Sequence, residues 1–315
     1  MSHFTVTVTL PPTDPREVAE AVTRALAPFD ENKESEPRRE YIEHADYEQA
    51  LAFFIEHPEH KPAELDEKNV AAVLAEYKGV PVYEDAGDGT GPVLYYRMTT
   101  YNEQSKWDWW QIGGRWADHF IHRPDADLRR LVRGSRSWMN EKDPHKLGYC
   151  DGGPRGLLDF EAMREEAARK AAKEFDRWTD LTRDLPEALP WEHFTARVDA
   201  EGKDAYSIEQ ARKDYREQAR VKAAAGDTEF RHWWEDVVAH FAAGRDALLE
   251  KARLEAVPGY ALLRQDGTWD EPGRMGWFGM SEETDSSRAM FKGRTNAYLE
   301  ELDPDAVIVN VDCHI

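Results

Sequence analysis

The chain is poor in cysteine and has no long apolar run. With only Cys150 and Cys313 among 315 residues, neither a disulfide framework nor a four-cysteine zinc site can form. No apolar stretch approaches the ~20 residues of a membrane-spanning helix. The start, Met1-Ser2-His3-Phe4, lacks the basic and apolar regions of a signal peptide. A cytoplasmic location and no membrane partner are therefore expected. Positive charge is also short: 41 Lys and Arg stand against 62 Asp and Glu, a net charge of −21. An extended nucleic-acid partner needs a basic footprint, so none is expected. A Gly-x-Ser-x-Gly elbow is missing, which disfavours a serine hydrolase.

What is present is enough for a sizeable core: 41% hydrophobic residues, with 11 Trp, 12 Tyr and 12 Phe. At roughly 150 residues per domain, the length suggests two domains or one with a large insertion. The charge is uneven. Residues 1–100 carry 20 acids and 9 bases, whereas residues 101–158 carry 8 acids and 10 bases and five of the Trp. That segment is the only net-positive stretch.

His3–Leu10 alternates Phe4, Val6, Val8 and Leu10 with His3, Thr5, Thr7 and Thr9, the pattern of a strand with one packed face. Asp14-Pro15-Arg16-Glu17 reads as a helix start, with Val18, Val22 and Leu26 at helical spacing. Short helices are expected over 47–55 and 62–77, and a strand over 93–101. From Asp159 the composition turns helical. Asp159, Ser207 and Asp227 are potential caps, and a third helix would carry Phe230, Trp233, Trp234, Val237, Val238, Phe241, Leu248 and Leu249 on one stripe. Strands return at 260–264, 275–280 and 306–315, with a helix over 285–302.

The expected fold is α+β: a ferredoxin-like antiparallel sheet built from both chain ends, with a large helical insertion. The domains would be 1–158 with 257–315 as the sheet, and 159–256 as the insertion. In that topology the first and last strands are antiparallel neighbours, which brings His3 beside Asp312 and His314. Two His and a carboxylate can ligate a divalent metal, with His3, Asp312 and His314 as ligands. The same groups can do metal-free acid/base work, with His314 as a catalytic group, or be merely solvated at frayed termini.

The segment Lys106–Trp116 is the other candidate. Gly113-Gly114 permits positive φ or close backbone approach. Arg115 can grip a phosphate or carboxylate, and Trp107, Trp109 and Trp116 can stack on a base or sugar. Asp108 could orient a ligand or accept a proton. The same Trp residues could equally be core, and Arg115 could pair with a structural acid. No GxxxxGK[ST] or GxGxxG phosphate motif accompanies them. His57-Pro58-Glu59-His60 reads as surface loop, and His119, His122, His232 and His240 as structural. Cys313 reads as inert on an apolar face, and Cys150 as part of a flexible loop.

Several segments together resemble a group of bacterial and phage-encoded proteins to which no activity is attached. They are Ser2-His3-Phe4-Thr5-Val6, Lys106-Trp107-Asp108-Trp109, Ile112-Gly113-Gly114-Arg115-Trp116, Asp159-Phe160-Glu161-Ala162-Met163-Arg164, Met275-Gly276-Trp277-Phe278-Gly279, and Val311-Asp312-Cys313-His314-Ile315. The resemblance implies a bacterial or phage setting and assigns no catalytic residue. Two functions are expected from the residues themselves. One is an enzyme or binding protein for a small anionic ligand, a nucleotide or phosphoester, with a divalent metal as its cofactor. The other is a non-catalytic phage or host interaction protein, whose acidic surface or helical block engages a protein partner.

Overall fold

The computed structural model describes residues 3–61, 69–85, 87, 93–137, 144–230, 236–274 and 281–315. The chain forms two compact units, Met1–Leu26 with Trp109–Ile315, and Ala27–Asp108. Both helices and sheets build it, so the protein is α+β.

In the larger unit, seven strands make one sheet. Its order is Trp269–Asp270, Ala261–Leu263, His3–Leu10, Val307–His314, Trp109–Gly114 and Ser135–Arg136; Gly152–Pro154 pairs with the start of Val307–His314. The two chain ends lie antiparallel, from His3↔His314 to Leu10↔Val307. The sheet departs from the ferredoxin-like pattern in two respects. Ala261–Leu263 runs parallel to the N-terminal strand, so the sheet is mixed. Leu94–Thr99, expected to join it, instead pairs with Arg38–Tyr41 and Tyr83–Asp85 in a separate three-stranded sheet of the smaller unit. The strand expected at 275–280 lies outside the described residues.

The threonine face of the N-terminal strand is buried as well as its apolar face; Thr7 and Thr9 are almost wholly covered. Their hydroxyls make this tolerable, because a buried hydroxyl needs a partner. Thr5 Oγ1 accepts from the Tyr260 N–H, Thr7 Oγ1 accepts from the Gly259 N–H, and Thr9 Oγ1 donates to the Leu263 carbonyl. The alternating threonines thus dock the parallel strand.

The helical block does not separate from the sheet. Phe160–Thr182 is one 23-residue helix, capped by the Asp159 carboxylate on the Ala162 N–H. Its first turns place Phe160 and Met163 in the sheet's core with Phe120, Leu262, Phe291, Leu299 and Ile308. Further along, Trp178 packs with Phe230, Phe241 and Leu248. One rigid rod therefore belongs to both cores. Ser207 caps its helix as expected. The third helix is broken: Val237–Ala242, capped by Asp236, and Arg245–Glu255 are split at Gly244, whose φ is 84°. His232, Trp233 and Trp234 lie outside the described residues.

In the smaller unit, His44–Glu56 and Val70–Lys78 pack through Ala50, Phe54 and Val73. Asn69 caps the second helix, and Gly79 ends it with φ 67°.

Candidate functional site

The register of the large sheet sets three residues in one cross-strand row: His3 opposite His314, and His314 opposite Trp109. The next row on the same face is Thr5, Asp312 and Gln111. Period-two alternation then points His3 and Asp312 the same way from neighbouring strands. His3 Nδ1 lies 2.8 Å from Asp312 Oδ1. The Asp312 side chain is completely buried, and that of His3 is 15% exposed. A carboxylate only accepts, so Nδ1 carries the proton and Nε2 is left for other chemistry. Among the described residues, Nε2 of His3 has no hydrogen-bond partner. The His3 ring meets the His314 ring at 4.9 Å and the Trp109 ring at 6.1 Å, both edge-on.

The second oxygen of Asp312 accepts the Arg115 backbone N–H at 2.9 Å. This is possible because the chain turns sharply at Gly113 and Gly114, with φ of 79° and 60°. A Cβ at Gly114 would overlap the Asp312 carboxylate, and one at Gly113 would press on Asp151. Asn310, one step down the C-terminal strand on the same face, donates to the Trp116 carbonyl at 3.0 Å. The buried Oδ1 of Asn310 has no partner among the described residues. Two polar side chains of the last strand thus hold the turn. The Arg115 side chain is exposed, and no carboxylate among the described residues pairs with it. Trp109 and Trp116 are 47% and 37% exposed.

Asp312 gives one oxygen to His3 and the other to the Arg115 N–H, so it braces both the imidazole and the turn. Trp107 and Asp108 fall in the Ala27–Asp108 unit, where Trp107 is buried and bridges to Asp30. The strand bearing Trp109 begins one residue later.

A second polar group was not legible in the sequence. Asp118, His145 and Asp151 offer ligand atoms that all lie within 4.8 Å of one another, a donor set able to hold a metal ion. Asp118 takes a left-handed backbone, φ 64°. Its carboxylate accepts from His145 Nδ1 at 2.8 Å, from the Lys146 N–H at 3.0 Å and from Arg136. Burial alone would raise the Asp118 carboxyl, but these three partners outweigh it and hold it below its ordinary value. Asp151 accepts the N–H groups of Asp118 at 2.6 Å and Gly134 at 2.7 Å. Burial nonetheless pushes its carboxyl up. No spacing rule links three residues drawn from separate loops, so no sequence signal was available beyond Asp151-Gly152-Gly153 itself.

The remaining expectations find simpler places. His119 gives its Nε2 to the Val257 carbonyl, and burial lowers its pKa. His122 contacts the Arg123 carbonyl. His57 and His60 are exposed beside Glu59. Cys150 is not in a flexible loop: it is wholly buried in the short strand Tyr149–Cys150, and burial pushes its thiol up to about 12. Cys313 is buried and its thiol is pushed up in the same way.

No described helix is long and apolar enough to cross a membrane. In comparisons with known proteins, no family model, no curated protein and no solved structure matches the chain.

Proposed function

We propose that the end of the large sheet binds a small phosphorylated ligand and carries out proton transfer on it, with His3 as the acid/base group. The observation that carries this reading is the His3 Nδ1–Asp312 Oδ1 bond on a fully buried carboxylate. A carboxylate behind an imidazole sets its tautomer and stabilises the imidazolium formed when Nε2 takes a proton. Three further features support it. The Arg115 guanidinium is exposed and pairs with no carboxylate among the described residues, which leaves it available to an anion. Trp109 and Trp116 offer exposed rings for a base or sugar. The surrounding segment is the only net-positive one. In this reading the protein acts in the cytoplasm, in a bacterial or phage setting. A divalent ion, if one is used, has the Asp118–His145–Asp151 group as a donor set.

Calorimetric titration with inorganic phosphate and with nucleoside monophosphates tests the reading. Binding that is lost in Arg115→Ala and kept in Arg130→Ala, a surface arginine paired with Asp305, is the expected result. Absence of binding by the wild-type protein to every one of these would overturn it.

A second reading, a protein-interaction module, is favoured by the smaller unit. Tyr41, Tyr96 and Tyr83 are cross-strand neighbours, and Tyr41, Tyr83, Leu94 and Met98 are all exposed. The unit carries 19 acids and 8 bases. An exposed apolar face framed by acid suits a basic protein partner. Tyr41→Glu with Met98→Glu would abolish such a complex and leave phosphate binding intact.

A further inference from the structure

We infer that His3 and His314 form a base and acid pair for metal-independent cleavage of a short ribonucleotide phosphodiester by its own 2′-hydroxyl. This rests on the phosphate-binding reading above and goes beyond it to a substrate class and a reaction. Two imidazoles from directly paired strand positions, with ring centres 4.9 Å apart, are close enough to serve one phosphorus. Displacement at phosphorus puts the entering and leaving oxygens on opposite sides, so it needs two proton-transfer groups rather than one.

The two histidines are not equivalent. His3 has the buried Asp312 carboxylate on Nδ1 at 2.8 Å, which fixes its ring and leaves Nε2 as the atom that takes a proton. Nε2 of His3 takes the proton of the 2′-hydroxyl, and the 2′-oxygen forms a bond to phosphorus. The bond from phosphorus to the 5′-oxygen breaks, and His314 gives that oxygen a proton. The products are a 2′,3′-cyclic phosphate and a 5′-hydroxyl. His3 ends protonated and His314 neutral, and exchange with water restores both. No oxidant, reductant or second substrate is required.

Three features select this substrate. The nucleophile is built into it, so its attack is intramolecular and needs no ion to activate water. Arg115 supplies a cation for the non-bridging oxygens, and the exposed Trp109 and Trp116 supply stacking surfaces for the flanking bases. The net charge of −21 repels a long polyanion, which restricts the substrate to a few nucleotides.

The test uses the full chain, a diribonucleoside monophosphate and its 2′-deoxy counterpart, with products resolved by chromatography. Expected are a cyclic phosphate product, no cleavage of the deoxy compound, and a rate unchanged by a metal chelator. His3→Ala and His314→Gln should each lower kcat by ~10²-fold or more with little change in KM. Both variants must give the wild-type circular dichroism spectrum. Cleavage of the deoxy compound, dependence on an added metal ion, or full activity in either variant would overturn the inference. Arg115-dependent binding of the deoxy compound without cleavage of the ribonucleotide overturns the inference and leaves the binding reading standing. No binding of either compound or of inorganic phosphate overturns both.

Discussion

Asp312 hydrogen-bonds His3 from 309 positions away, Oδ1 to Nδ1 at 2.8 Å, and with its other oxygen holds the Arg115 backbone. One buried carboxylate therefore orients the His3 ring and fixes the turn that carries Arg115. Asp312→Asn puts an amide N–H toward one of two donors, His3 Nδ1 or the Arg115 N–H. It should lower stability by about 1–3 kcal/mol, the cost of a buried unsatisfied polar group. Urea unfolding measures this. Nitrogen NMR of the His3 ring should show the tautomer shift; unchanged stability and tautomer would contradict the assignment.

Gly114 and Gly79 both have positive φ, 60° and 67°, but only at Gly114 does a Cβ meet anything. Alanine at Gly79 should cost about 1 kcal/mol, the left-handed backbone penalty. Gly114→Ala adds an overlap with Asp312, so it should cost several times that and abolish phosphate binding. Thermal melts of the two variants side by side check the contrast.

Lys292 is mostly buried and donates to the Pro258 and Gly259 carbonyls. Burial lowers its pKa from 10.5 to about 8. Between those two values the unfolded chain holds a proton that the folded protein has released, so stability rises with pH through that window. The gain is on the order of 2–3 kcal/mol. Lys292→Met should remove it. Denaturant unfolding at pH 7.5 and pH 10, compared between wild type and variant, isolates the term from the opposing thiols. Parallel pH profiles would refute it.

The Arg136 guanidinium already neutralises Asp118, so a divalent ion entering the Asp118–His145–Asp151 group has to displace it. Removing metal with a chelator should therefore leave the melting temperature unchanged. Arg136→Ala should lower it, and added zinc should restore part of the loss. A wild-type protein that melts earlier after chelation would show instead that an ion resides there.

Trp109→Ala should weaken binding of a nucleoside monophosphate by about 1–3 kcal/mol, the worth of one stacked base, and leave inorganic phosphate binding unchanged. Equal loss for both ligands would mean that the ring supports the fold rather than the base.

Much of the site was legible before the fold. Alternation in His3–Leu10 and at the C-terminus assigned faces, and pairing of the two ends then placed His3 beside His314. The Gly113-Gly114 pair signalled its left-handed turn, because only glycine adopts that backbone at no steric cost. The unit boundary at Asp108 was not legible, since sequence adjacency of Trp107, Asp108 and Trp109 hides it. The fate of Leu94–Thr99 was hidden likewise, because strand pattern does not name the partner strand. The helical block looked separable by composition, but nothing in composition reveals that Phe160–Thr182 spans two cores.

The sequence by itself determined the element types, the packed faces and the chemistry available at the chain ends, because these follow from local periodicity and residue type. Only the tertiary structure decided what each polar group does. Asp312 became a buried brace for His3 and the Arg115 turn, and Asp118, His145 and Asp151 were gathered from separate loops. Burial and hydrogen-bond partners are set by residues distant in the chain, and those distances exist only once it has folded.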